Sequence, residues 1–172
     1  MAVNYSDLTP GTPIVWTNTG GDKAMNMKAL ANAGIREGAK SATLVDGTKG
    51  FPEVLTVTVE TKVQATPTDG NPVNVYLGWS SSGTAGTDNP AGLTGADAAV
   101  ADADVLVQMG LPLVLPMAGS LTTGVQRKTF EVRPKQEYLI PVLQNSTGQT
   151  TSNVDGETKI TVRPWYRRTP VA

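Results

Sequence analysis

Between positions 55 and 63 the chain reads Leu55-Thr56-Val57-Thr58-Val59-Glu60-Thr61-Lys62-Val63, with apolar groups returning at nearly every second place. A period of two belongs to an extended strand, whose successive side chains point to opposite faces of a sheet. A helix with this order would spread its apolar groups around the whole axis. The segment therefore calls for a sheet with one packed and one wetted face. A strand is expected over 54–65, with Leu55, Val57, Val59 and Val63 inward and Thr56, Thr58, Glu60, Lys62 and Gln64 outward. Pro67-Thr68-Asp69-Gly70-Asn71-Pro72 then reads as a turn, because proline presets φ and Gly70 tolerates positive φ. The next stretch, 73–80, places Val73, Val75, Leu77 and Trp79 together. These two strands are expected to pair as a hairpin, with Leu55, Val57, Val59, Val75, Leu77 and Trp79 in the core.

The rest of the chain divides in a similar way. Residues 1–20, broken by Pro10, Gly11, Pro13 and Gly20-Gly21, read as an extended N-terminal arm with Ile14-Val15-Trp16 as its apolar anchor. Residues 21–172 read as one domain. Positions 23–33 fit a short helix capped by Asp22 and Gly34, with an extended segment lying across the domain as the competing reading. Further strands are expected at 39–45, closed by a turn at Asp46-Gly47, and at 125–132, 138–144 and 159–165. Residues 81–104 form a Gly-, Ala- and Asp-rich loop, long for a compact domain, that holds a short helix near 96–103 or serves as a working surface. The apolar run 106–117, interrupted by Gly110, Pro112 and Pro116, suits an edge strand or an interface ribbon. With 18 glycines and 12 prolines for turns, roughly seven or eight short strands imply an all-β chain, an antiparallel β-sandwich of jelly-roll type.

At 172 residues the chain has one domain's worth of length, and it has no cysteine for a disulfide. It also has no histidine. The usual general base, the thiol nucleophile and the common transition-metal ligands are thus missing. No supported Ser-x-x-Lys motif is present, and Gly20-Gly21-Asp22-Lys23 lacks the spacing of a phosphate-binding loop. The expectation is a non-enzymatic protein without a cofactor. Lys plus Arg is 14 against 15 for Asp plus Glu, a net charge of −1 that argues against nucleic acid as a partner. No basic-then-apolar leader opens the sequence, and no apolar run approaches the ~20 residues that span a bilayer, so no membrane partner is expected.

Asp88, Asp97, Asp102 and Asp104 could offer oxygens to Ca²⁺, but not with EF-hand spacing, and solubilising a loop is the simpler role. Glu53, Glu60, Glu131 and Glu137 fall on different expected strands, which favours sheet-surface charge over a glycosidase pair. Trp16, Tyr76, Trp79, Trp165 and Tyr166 could stack on sugars, yet aromatics are only 5% of the chain and packing accounts for them. Arg163, Arg167 and Arg168, with Trp165 and Tyr166 between, make a basic-aromatic end suited to an acidic partner surface. Charged residues total only 17%, against about a quarter in typical domains, which suggests an exterior partly covered by other subunits. The candidate interface residues are Trp16, Leu111, Leu113, Val114, Trp165, Tyr166, Arg167 and Arg168. The two ends, outside the alternating body, are expected to make most of these contacts.

Three stretches carry a resemblance: Met27-Lys28-Ala29-Leu30-Ala31-Asn32-Ala33-Gly34-Ile35-Arg36-Glu37-Gly38-Ala39, Val59 to Ser80 with its Asn74-Val75-Tyr76-Leu77-Gly78-Trp79 strand, and Tyr138-Leu139-Ile140-Pro141-Val142-Leu143-Gln144-Asn145. Over roughly residues 25–150 this pattern resembles small virion structural proteins of tailed bacteriophages. The resemblance implies a β-sandwich that assembles on a capsid as decoration or cement proteins do, with the major capsid protein or other virion subunits as partners. It carries no catalytic residue across. Local three-fold positions in such lattices favour a homo-oligomer, with a trimer expected. A carbohydrate-binding β-sandwich of a fibre or surface appendage is the alternative.

Overall fold

The computed structural model describes residues 7–120 and 124–168. Residues 1–6 of the expected arm and 169–172 of the expected tail lie outside the described residues. In chain order the strands are β1 (Leu8–Pro10), β2 (Ile14–Thr17), β3 (Lys23–Ala24), β4 (Ile35–Glu37), β5 (Val54–Thr61), β6 (Pro72–Ser80), β7 (Ala98–Ala99), β8 (Leu113–Pro116), β9 (Gln126–Val132), β10 (Tyr138–Asn145) and β11 (Lys159–Arg167). The helix α1 (Asp104–Met109) lies between β7 and β8. One sheet has the order β3-β2-β11-β5-β9, with β1 also on β11; the other has the order β7-β4-β10-β6-β8. Among the described residues only the β2–β3 pairing is parallel. The fold is an all-β sandwich of two largely antiparallel sheets.

The pairings are nested. β6 pairs with β8, β5 with β9, β4 with β10, and β2 with β11, so the chain folds back on itself about the β6–β8 connection. Successive strands of this ribbon alternate between sheets, which places the core between them. Leu55, Val57, Val59, Val75 and Leu77 are buried there with Leu139, Leu143, Ile160 and Val162, and Trp79 packs against them half-buried. The alternating strands therefore have the expected inward faces.

The expected hairpin does not form. β5 takes β11 and β9 as neighbours, β6 takes β10 and β8, and the turn between β5 and β6 crosses from one sheet to the other. Its backbone bonds elsewhere, with the Gly70 N–H donating to the Met117 carbonyl at 2.8 Å. The helix expected at 23–33 is also absent. Ala29 and Ala33 have φ of 50° and 62°, outside the helical region. The Ala29 and Ala33 N–H groups donate to the Ser152 and Asn145 carbonyls, so the segment crosses the domain as a series of turns, neither helical nor extended throughout. No strand forms at 39–45 either. There the N–H groups of Ala39, Lys40, Ser41 and Leu44 donate in turn to carbonyls of Ala24, Gly95, Leu139 and Glu137, four different neighbours.

The described part of the expected arm is built into the sheet. β1 and β2 both lie along β11, with Leu8 opposite Arg167 and Trp16 opposite Ile160. None of Trp16's surface reaches solvent, and its indole N–H donates to the Ala39 carbonyl at 2.7 Å. An aromatic that fills the core is unavailable to a partner, which removes Trp16 from the interface candidates.

The β4-β10-β6 sheet is covered on its outer side too. A second apolar cluster of Ile35, Leu93, Leu106, Ile140 and Val142, with Tyr76, Val100, Val105 and Met109 against it, sits under the 81–104 segment and α1. Burial on both faces explains why Leu139-Ile140-Pro141-Val142-Leu143 is apolar without interruption. The other sheet keeps a polar outer face, with Thr58 and Thr129 hydroxyls bonded across strands at 2.9 Å.

Trp16→Ala should lower folding stability by about 3–5 kcal/mol, the usual cost of emptying a large aromatic site. Urea unfolding of the purified variant measures this. A loss below about 1 kcal/mol would return residue 16 to the surface.

Candidate interaction surface

Among the described residues Leu111 (96% exposed) and Val107 (80%) are the most exposed large apolar groups, with Val114 (37%) close by in sequence, while Phe51, Val125 and Val154 are exposed elsewhere along the chain. Local structure explains why the first three point outward. In α1, Leu106 packs down on the sheet, and the helical turn then carries its neighbour Val107 away from it. Gly110, at φ 86°, ends the helix in a conformation that non-glycine residues rarely adopt. Leu111 and Pro112 then lead into β8, the edge strand of its sheet. The expectation of an edge strand holds for residues 113–116 of the proline-interrupted run, whereas 106–109 belong to α1, the short helix expected near 96–103.

This edge is closed to further strand pairing. Pro112 and Pro116 lack N–H donors, and the Lys128 ammonium, reaching across from β9, donates to the Val114 carbonyl at 3.1 Å. Lysine and proline on an edge strand oppose extension of the sheet. Any contact made here would rest on side-chain packing. No charged residue occurs between positions 105 and 126, so the charge at this edge comes from Lys128 on β9 and from Asp104 at the start of α1.

The eight interface candidates do not form one surface. Leu111 and Val114 are exposed at the β8 edge, while Leu113 is half-buried against the main core. Tyr166 is buried, its hydroxyl donating to the Leu44 carbonyl at 2.8 Å, so it joins Trp16 as a packing residue. Burial, and then the Asp46 carboxylate, raise the pKa of that phenol. Alternation along β11 turns Trp165 to the outer face, where its indole donates to the Thr56 hydroxyl. Arg167 pairs with Glu53 at 3.3 Å, and the side chains of Arg167 and Arg168 are exposed. These last residues belong to the sheet opposite the one that carries β8.

The other proposed chemistries do not assemble. Asp97 is bound by Arg36 at 2.5 Å, Asp88 accepts the N–H and hydroxyl of Ser81, and Asp102 accepts the Asp104 N–H. Among the described residues no cluster of His, Cys, Asp or Glu is placed to hold a metal. Glu60 is buried between Arg127 and Lys159. Tyr76 and Trp79 pack against apolar clusters, which leaves Trp165 alone among the proposed sugar-stacking residues on an open face. A groove of about 610 Å³ lies beside Tyr166, between Pro10, Pro13, Pro164 and the 42–49 segment.

Three residues that the sequence reading left without a role hold the 81–104 cover in place. Arg36 grips Asp97, the Glu37 carboxylate accepts the Thr94 N–H at 3.0 Å, and the Lys40 ammonium is ringed by oxygens of residues 80–87. The available signal was charge placed among apolar and small residues at 35–41 in a sparsely charged chain.

No known protein-family model matches this chain, and a comparison with curated proteins finds no relative.

Four carboxylates are held below their usual range by hydrogen bonds: Asp46 from Thr48, Asp88 from Ser81, Asp155 from Lys28, and Glu157 from Lys62. A depressed carboxylate stabilises the fold above its unfolded pKa, and that contribution is lost as pH falls through the folded value. The melting temperature should therefore hold steady from neutrality down to about pH 5 and fall below about pH 4. Glu157→Gln should flatten that fall, as read by calorimetry across the acid range. An acid limb as steep as wild type would remove Glu157 from this account.

Proposed function

We propose that this protein is a non-enzymatic virion structural protein, a capsid decoration or cement protein that binds between capsid subunits of a phage head. The observation that carries the reading is the exposed apolar stretch at Val107, Leu111 and Val114, running from α1 to the edge strand β8. An apolar edge closed to strand addition suits docking by packing. The nested pairing supports a jelly roll, an architecture shared by many capsid and lectin domains. The resemblance across residues 25–150 supports the same assignment. Copies of the chain associate in this reading, with a trimer as the favoured state, and the major capsid protein is the partner.

The test is to add purified protein to head shells lacking it, prepared from the phage whose capsid gene neighbours this one. Wild type should cosediment with the shells and raise their disruption temperature. Val107→Asp with Leu111→Asp should weaken binding at least tenfold, about 1.4 kcal/mol, with the free protein's melt unchanged. Undiminished binding by that variant would move the docking surface elsewhere, and no binding by wild type would overturn the capsid assignment.

A further inference from the structure

Lys40 is a buried lysine with no carboxylate in hydrogen-bonding contact. Its ammonium lies 2.8 Å from the Ser82 carbonyl, 2.8 Å from Thr84's, 2.9 Å from Thr87's and 3.0 Å from the Ser80 hydroxyl. Four oxygens from one eight-residue turn thus converge on a single point. Converging carbonyl dipoles repel one another and, once buried, need a donor or cation between them. The turn has few other ways to satisfy them. The Ser80 hydroxyl also lies 3.1 Å from the Ser82 carbonyl and 3.3 Å from Thr87's. Burial holds the pKa of the Lys40 ammonium below the usual lysine value, and the Asp88 carboxylate, which binds the N–H and hydroxyl of Ser81, partly offsets that effect.

We propose that the Ser80–Thr87 turn is a binding site for a primary ammonium cation, occupied in the native protein by the side chain of Lys40. The oxygens replace the water shell of the ammonium as carbonyl rings replace that of a monovalent metal ion. The cation thereby determines the shape of the turn, and Lys40 is its positioning residue. The site recognises an N–H-bearing head of single charge, so a quaternary ammonium does not fit it.

Truncation to alanine removes from Lys40 the atoms of n-propylammonium, and this small molecule is the probe. Lys40→Ala should melt about 6–12 °C below wild type in sodium chloride, the shift expected when three carbonyls lose their buried donor in a domain of this length. In propylammonium chloride at the same ionic strength it should recover at least half of that loss. Tetramethylammonium chloride, which has no N–H, should give no recovery. Lys40→Met keeps the stem without the charge, so it should be destabilised in all three salts alike. If Lys40→Ala is unfolded in sodium chloride, folding in propylammonium seen by circular dichroism is the same rescue. In wild type, reductive methylation of native protein should leave Lys40 at least tenfold slower to react than Lys28 or Lys128. Equal behaviour of Lys40→Ala in the three salts, wild-type stability of Lys40→Met, or methylation of Lys40 at the exposed rate would each overturn the assignment.

Discussion

The sheet that carries the first half of the core depends on a strand contributed by the last part of the described chain. β11 enters between β2 and β5, where Ile160 meets Trp16 on one side and Val59 on the other, and Val162 meets Ile14 and Val57. Until that strand arrives, β2 has only the two-residue β3 beside it, and β5 has only β9. The nested pairing therefore brings together segments more than a hundred residues apart before either sheet is complete. Contacts of that separation carry a large loop-closure cost and make folding slow compared with local topologies. They also make the body one cooperative unit, since neither sheet can be assembled from one half of the chain.

The second sheet raises a different problem. Its middle strand, β10, is apolar on both faces, so its outer side needs a cover, and the cover supplied is a segment with little regular structure. Apolar contact alone would leave its backbone groups poorly satisfied. Charged side chains from β4 and the residues just after it meet that need by binding the cover at Asp97, Thr94 and the 80–87 turn. Part of a sparse charge content is thus drawn into internal structural work, and residues 105–126 beyond the start of α1 carry no charge of their own. The proposed docking edge is the outer consequence of that internal arrangement.

Much of the strand content was legible because a strand with one packed face writes its period into the sequence. β5, β6, β9, β10 and β11 lie close to their expected positions for this reason. Strand partners were not legible. The Pro67–Pro72 turn has the chemistry of a hairpin turn, and the same residues serve equally well to arch from one sheet to the other. Residues 23–33 misled because their alanines and leucine favour a helix, while tertiary bonds to residues 145–152 hold them in turns. For the surface, Leu111 and Val114 could be picked out because prolines restrict where an apolar run can lie. Trp16 and Tyr166 could not, because an aromatic side chain suits a core and an interface equally. Trp165 and Tyr166 also occupy consecutive places on a strand, so no single face can present both.

The two ends of the described chain leave the body side by side. The Arg168 N–H donates to the Asp7 carbonyl, and from there β1 and β2 run back along one edge of β11, Leu8 against Arg167 through to Trp16 against Ile160. Tension applied at those ends would meet the hydrogen bonds one after another, as a zipper is opened from its tab. Tension spread across the width of a sheet would be shared by every rung of a ladder at once. The fold is thus mechanically anisotropic, compliant when pulled by its ends and stiff when loaded through its flanks.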